Sequence, residues 1–249
     1  MAIVKAEVIV LKKFDFRETS LIVNFFSLEY GRLNGLLKGI RKDPRKFASS
    51  LEPFSCNEII FYQSHKSDLH LVSQCDLKDN YNFTRKDIKT TAYALYLIDI
   101  LRLLMPQEEK NPESYRLITS ALKNIDSGLD PEKVSRVFLI KLLKITGFKP
   151  RLDGCIICDR DINGPAYFNV RRGGLLCPSC NTNDVYSSNI LKGTIASILH
   201  IEHSPWPEAL RLGLNIQVKE ELERILKSFM EFHLQIKANS QEFLETIKQ

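Results

Sequence analysis

Four cysteines constrain this chain more than any other feature. They stand as Cys155-Ile156-Ile157-Cys158 and Cys177-Pro178-Ser179-Cys180, a C-x2-C-x18-C-x2-C pattern. That is the spacing of a four-thiolate zinc site. Each pair fits a tight turn that aims both sulfurs at one ion. Gly154 precedes the first pair and Pro178 lies inside the second, which is turn chemistry. Between the pairs, Ala166-Tyr167-Phe168-Asn169-Val170 reads as a short strand and Arg171-Arg172-Gly173-Gly174 as a turn, with Leu175-Leu176 leading back. The pattern predicts a small zinc ribbon. Redox C-x-x-C pairs or disulfides are the competing reading, and no βαβ pattern surrounds either pair to support it. Four thiolates fill a tetrahedral ion and leave no position for water, so the expected metal is one structural zinc rather than a catalytic one. The ribbon would display Arg171 and Arg172 at its hairpin tip, with Arg160 after the first pair.

The remaining bounds are ordinary. A chain of 249 residues holds one large domain or two or three small ones. Hydrophobic residues make up 44% and charged residues 26%, as in a soluble globular protein. The net charge of +5 permits a nucleic-acid partner without demanding one. Six cysteines, four in a metal pattern, suit a reducing compartment. The start, Met1-Ala2-Ile3-Val4-Lys5, lacks a secretory arrangement, and no apolar run approaches the ~20 residues that span a bilayer. The expectation is a cytoplasmic protein with no membrane partner.

Residues 1–80 show β pattern. Five segments read as strands: Ile3–Leu11, Ser20–Ser27, Arg32–Gly39, Asn57–Gln63 and Leu69–Asp76. Glu29-Tyr30-Gly31-Arg32 joins the second and third as a tight hairpin. A longer link follows the third, which fits a small OB-like barrel; an SH3-like barrel would use a similar pattern. That link is the most basic stretch of the chain, Lys38-Gly39-Ile40-Arg41-Lys42-Asp43-Pro44-Arg45-Lys46-Phe47, with five cations and one anion in ten positions. Pro44 and Gly39 argue for an extended loop. A second basic group, Lys12-Lys13-Phe14-Asp15-Phe16-Arg17, reads as lying between the first two strands. Interleaved cations and aromatics suit single-strand binding, with charges on phosphates and rings on bases. The plainer alternative is a pair of solvated loops with their aromatics in the core.

From Thr84 the period becomes helical. Asp87–Met105 reads as one helix with Thr84 as its N-cap, Pro112–Asp126 as a second, and a third opens at Pro131-Glu132 and ends at Gly147. Ser188 is expected to cap a helix over Asn189–His200, and Gln217–Ile236 to form a further amphipathic helix. The ribbon is then an insertion in a helical region. The expected division is 1–80 for the barrel, 81–152 for the first helical part, 153–185 for the ribbon and 186–249 for the second helical part. Nothing marks a nucleophile elbow, a phosphate-cradling loop or a GxGxxG turn. His200 and His203 read as a surface pair, and Cys56 and Cys75 as buried thiols. Asp15, Glu18, Asp76 and Asp79 read as ordinary loop and strand-end acids.

The local sequences support a resemblance. Val10-Leu11 … Arg17-Glu18-Thr19 … Phe25-Phe26, Tyr30-Gly31-Arg32-Leu33, Lys38-Gly39-Ile40-Arg41-Lys42 and Leu51-Glu52-Pro53-Phe54 resemble the opening of the RecO family of recombination mediators. Phe138 … Leu142-Leu143 … Gly147-Phe148-Lys149-Pro150 … Leu152-Asp153 … Cys155 … Cys158 resembles its approach to the zinc site, and Phe232-His233-Leu234 … Ser240 … Phe243-Leu244 its C-terminal helix. Nearly the whole chain is covered. Arg17 departs from the pattern, since the family usually has glycine there. Many relatives lack some of the cysteines, whereas this chain has all four.

The resemblance implies a multidomain α+β fold: an N-terminal five-stranded OB barrel, then a helical domain with the four-cysteine ribbon inserted. It implies a non-enzymatic protein that binds single- and double-stranded DNA and anneals complementary strands. With RecR it would help load RecA onto DNA coated by the single-stranded-DNA-binding protein, whose acidic C-terminal tail it would recognise through the helical domain. Such a protein would be bacterial, cytoplasmic and associated with the nucleoid during repair. The expected DNA surface is Lys12, Lys13, Arg17, Arg32, Lys38, Arg41, Lys42, Arg45 and Lys46, with Arg171 and Arg172 from the ribbon. An acidic tail with an apolar end needs cations beside an apolar pocket, and Arg136, Lys141 and Lys144 on the third helix are the candidates. A scaffold that binds protein rather than DNA, with a structural zinc ribbon, is the alternative.

Overall fold

In the computed structural model the described residues are 2–43, 47, 51–64, 67–182, 184–235 and 244. They fall into two compact units, Met1–Pro131 with Ala238–Gln249, and Glu132–Lys237. No described helix is long and apolar enough to cross a membrane.

The first unit is organised around a closed five-stranded barrel. Its strands are β1 (Ile3–Phe16), β2 (Ser20–Ser27), β3 (Gly31–Leu37), β4 (Cys56–Tyr62) and β5 (Leu69–Asp79), in the order β1-β2-β3-β5-β4. All neighbours pair antiparallel except β3 and β5, which run parallel through Asn34–Leu36 and close the cylinder. This is the connectivity of an OB barrel, so the SH3-like alternative falls away. Val8, Val10, Val23, Phe25, Leu33, Ile59, Phe61 and Val72 alternate inward and fill it. Each such side chain contributes about 1.5–3 kcal/mol through burial.

One expectation needs correction here. β1 runs on to Phe16, with a register shift between Val10 and Lys12, so Lys12–Phe16 lies on a strand and not in a loop. Ladder bonds to β2 satisfy its backbone as far as Phe16 opposite Ser20. The long link after β3 returns through Leu51 and Phe54, both buried and both at positive φ, 52° and 58°. Arg85 fixes that return. Its guanidinium lies 3.8 Å from the Phe54 ring centroid and donates to the Pro53 and Asn80 carbonyls at 2.8 and 2.7 Å.

Two helices complete the unit, α1 (Ile88–Leu104) and α2 (Pro112–Asp126). Asp87, not Thr84, caps α1 by accepting from the Thr90 amide; Thr84 lies in a 3-10 turn and donates to Asp126. Asn111 caps α2, with Pro112 in the first turn. Tyr115 on α2 donates its hydroxyl to Glu7 of β1 at 2.9 Å and lies 3.7 Å from the Cys56 sulfur. Gly31 begins β3 at φ +68, and a Cβ there would fall 2.0 Å from the Glu109 carbonyl oxygen. Glycine is required on both counts.

The second unit holds α3 (Pro131–Ile145), a small sheet, and α4 (Lys192–His203), α5 (Trp206–Arg211) and α6 (Ile216–Leu234). The sheet is β6 (Arg151–Cys155), β7 (Ala166–Asn169), β8 (Gly174–Leu176) and β9 (Ser187–Ile190), ordered β6-β8-β7-β9. Ser188 does not cap a helix. It pairs with Phe168 as part of β9, and α4 starts at Lys192 without a side-chain cap.

Candidate nucleic-acid interface and metal centre

The β1–β2 hairpin carries the first basic group out along the barrel wall. Alternation puts Lys12, Phe14 and Phe16 on one face. The Lys12 ammonium sits 5.0 Å from the Phe14 ring centroid and the Arg17 guanidinium 5.2 Å from that of Phe16. Phe14 is 42% exposed, so its ring face is open to solvent. Arg17 forms the turn at φ +52. The left-handed region disfavours a side chain, so a glycine would take this turn without strain.

The basic loop is tied to the hairpin tip. The Arg41 amide donates to the Thr19 carbonyl at 3.0 Å, and the Lys42 and Asp43 amides fold back to Gly39. Between hairpin and loop lies a groove of about 520 Å3, lined by Phe16, Arg17, Ser20, Leu36, Lys38 and Gly39 among others. It lies beside the β1–β2 turn and the start of β5, where OB barrels take oligonucleotides. Leu36 and Leu69 add apolar lining that carries no signal in a linear sequence, because the β3–β5 pairing brings them together.

Of the expected cations, Arg17 and Lys38 line this groove, and the others are not equivalent to them. Lys12, Arg17, Lys38, Arg41 and Lys42 are exposed. Lys13 pairs with Glu52 at 2.7 Å and Arg41 with Asp15 at 3.5 Å. Exposed pairs of this kind contribute about 0–1 kcal/mol, so a phosphate can displace them. Arg45 and Lys46 lie outside the described residues. Arg32 departs from the expected surface role. Its guanidinium donates to the Arg102 and Met105 carbonyls at 2.5 and 3.0 Å and to Gln107 at 3.3 Å. It therefore closes the C-terminal end of α1. Burial, then the charge of Arg102, lowers its pKa.

In the second unit the four cysteines converge, all four sulfurs lying within 4.8 Å of one another. Backbone turns aim them: the Asp159 amide donates to the Cys155 carbonyl at 2.9 Å, and the Cys180 and Asn181 amides to the Cys177 carbonyl at 3.0 Å each. Cys158 and Cys177 sulfurs are 3.8 Å apart. Sulfurs at about 2.3 Å from a tetrahedral ion would stand about 3.8 Å apart. The donor set and its spacing thus fit a metal held by four thiolates. The thiols repel one another as anions. Burial opposes ionisation of Cys155, but amides of Cys177, Cys158 and Ile157 outweigh it and bring the thiol down to about 6. Cys180 is pushed up to about 12 by its contact with Cys177 and by burial. A dication would release the remaining protons.

Arg171 and Arg172 are exposed on the turn between β7 and β8. The three helix cations each have a partner within this unit, Arg136 buried, Lys141 half-buried and Lys144 exposed. Arg136 is buried between Glu132 at 3.3 Å and Glu223 at 3.2 Å. Lys141 donates to the Ser204 carbonyl, and Lys144 to the Glu202 carbonyl at 3.1 Å. They brace α3 against α4 and α6. A linear sequence shows their helix but not the carbonyls some sixty residues away.

Barrel, basic groove and cysteine cluster define a class: a multidomain protein with an OB barrel and a four-cysteine ribbon, fit for a metal, set among helices. Comparison with known proteins narrows it. The model described as Recombination protein O N terminal matches residues 1–81, and Recombination protein O C terminal matches 85–242. The chain belongs to the RecO family. It is similar to DNA repair protein RecO of Moorella thermoacetica, 29% identical over 98% of this chain and 91% of the relative. It is also similar to DNA repair protein RecO of Syntrophus aciditrophicus, 32% identical over 90% and 83%, and to that of Desulfatibacillum aliphaticivorans, 28% identical over 98% and 97%. By these names the family is one of DNA repair and recombination.

Proposed function

We propose that this protein acts in DNA repair and homologous recombination by binding single- and double-stranded DNA and annealing complementary strands, without catalysing a covalent reaction. The observation that carries this reading is the basic groove between the β1–β2 hairpin and the Gly39–Asp43 turn of a closed OB barrel. Arg17 and Lys38 in the groove, with Lys12, Arg41 and Lys42, engage phosphates; Lys13 joins after leaving Glu52, and Arg45 and Lys46, outside the described residues, are assigned the same role from the sequence. Neutralising phosphates on two strands at once removes their mutual repulsion and lets bases find partners. Arg32 is left out of this surface, because its donors are directed into the fold.

Family membership supplies the partners in this reading. With RecR the protein helps load RecA onto DNA covered by the single-stranded-DNA-binding protein, whose C-terminal tail it contacts, in the bacterial cytoplasm and at the nucleoid during repair. The residues 1–80 then serve as the DNA-binding domain, and 153–185 as a ribbon set between helical parts 81–152 and 186–249. The ion assigned to the cysteine cluster is zinc, supported by the all-sulfur donor set and its spacing. It would be structural, since four thiolates leave no open position.

The test is annealing of two complementary oligonucleotides, one end-labelled, at increasing protein and several salt concentrations. Faster annealing that fades with salt, with both strands intact, is the expected result. No acceleration at low salt, on folded protein carrying one zinc per chain, would sink the reading in favour of a protein-binding scaffold.

A further inference from the structure

The second unit carries aromatic surface beside its two ribbon arginines. The β7–β8 turn sits directly against the end of α6. Gly173 is at φ +70, and a Cβ there would meet His233 Nε2 at 3.3 Å and Phe229 Cε2 at 3.5 Å. His233 lies with Nε2 2.6 Å from the Val170 carbonyl oxygen, a spacing that places the donated proton on Nε2.

From there a run of rings leads outward. Phe168 and Phe229 are buried, with centroids 6.4 Å apart; His233 follows Phe229 at 4.5 Å, Phe232 follows His233 at 5.2 Å, and Tyr186 follows Phe232 at 5.9 Å. The last two rings are 44% and 41% exposed, so the run begins in the core and ends in solvent. The Arg171 guanidinium lies 5.5 Å from the Tyr186 ring centroid, and Arg172 is exposed next to it.

Tyr186 is held rather than dangling. Its amide donates to Asp184 at 3.1 Å, and Asp184 also accepts from Asn169 at 3.1 Å. Those two hydrogen bonds, with the charges of Arg171 and Arg172, keep the Asp184 carboxyl below its ordinary pKa. Exposed rings on hairpins commonly do no more than cover the core. Two rings anchored from behind and flanked by two guanidiniums offer instead the two contacts an unpaired nucleotide needs, a π face for the base and a cation for the phosphate.

We propose that Tyr186, Phe232, Arg171 and Arg172 form a second contact for single-stranded DNA, in which unpaired bases stack on the two rings and the arginines take the adjoining phosphates. This rests on the DNA-binding reading above and assigns part of it to the ribbon and α6. Duplex bases already stack on one another, so the rings discriminate for single strands while the arginines serve both forms.

The test uses the full-length, metal-loaded chain with Tyr186→Leu and Phe232→Leu, singly and together, which keep apolar bulk and remove the π face. Affinity is measured for an oligo(dT) strand, an abasic strand of equal length and a duplex. The double variant is expected to lose about tenfold or more for oligo(dT), within the range of one stacked base, with abasic and duplex affinity within about twofold of wild type. An oligonucleotide carrying 5-iodouracil, irradiated on the wild-type protein, should give an adduct at Tyr186 or Phe232 by mass spectrometry. Unchanged oligo(dT) affinity, or equal losses on all three ligands, overturns the proposal. Adducts confined to Phe14 or Phe16 would overturn it and leave the barrel reading standing, whereas no DNA binding by wild type would overturn both. Binding of an acidic peptide that depends on the two rings while oligo(dT) binding does not would also overturn it, by making this a peptide site.

Discussion

Arg17 holds a backbone conformation, φ +52, that costs a side-chain-bearing residue about 1–2 kcal/mol. Its cation lies at the groove, so strain and charge are set against each other in one residue. Arg17→Gly should therefore raise the free energy of unfolding by roughly 1 kcal/mol, read as a higher urea midpoint, while weakening single-strand binding. Its salt slope should fall by about 0.7 if one phosphate contact is lost. Arg32 behaves oppositely. Arg32→Ala strands the Arg102 and Met105 carbonyls and should destabilise the fold by about 2–3 kcal/mol, with the DNA salt slope unchanged in a titration from low to moderate salt. At this scale the sequence distinguished the two arginines only in part. The missing glycine marked position 17 as unusual. Nothing near Arg32 shows that its partners lie about seventy positions further on, so a basic residue beside a hairpin reads as surface.

At the scale of elements, the cysteine spacing foretold the ribbon because each C-x-x-C turn is local. The rest of its sheet is not local. Ser187–Ile190 becomes a strand by pairing with β7, a tertiary bond set that overrides a serine-led helix start. β1 runs through two lysines for the same reason, since β2 satisfies its backbone. The short α5 escaped notice because Pro205 and Pro207, at and just after its start, read as breakers. Cys155→Ser should abolish bound metal in elemental analysis and make the segment around β6–β9 the first site of proteolysis. Metal affinity should weaken as pH falls, because the protons that the dication expels, foremost that of Cys180, return. A competition titration with a chromophoric chelator between about pH 6 and 8 would show this, and a pH-independent affinity would argue against thiolate ligation.

For the whole molecule, the net charge of +5 is modest, and its effect depends on placement. Replacing both Arg41 and Lys42 by Ala should flatten the single-strand salt slope by about 1.4, far beyond what a change of two in net charge would do if spread evenly. Equal slopes for variant and wild type in salt-titrated anisotropy would remove the loop from the binding surface. The order of parts, barrel then helices with a ribbon among them, was legible from the change of hydrophobic period at Thr84. Which helices share a compact unit was not: α1 and α2 group with the barrel, through side chains such as Tyr115 and Arg32 that no periodicity reveals. The barrel's closure by three parallel pairs between β3 and β5 also bears on colloidal behaviour. Closure leaves a neighbouring chain less open edge to extend than a flat five-stranded sheet would. What edge remains lies where pairing is one-sided, at Lys12–Phe16 of β1, which pairs β2 alone, and two lysines there discourage a further strand. At the crowding of a concentrated stock, strand-by-strand aggregation is therefore disfavoured while the cylinder stays closed.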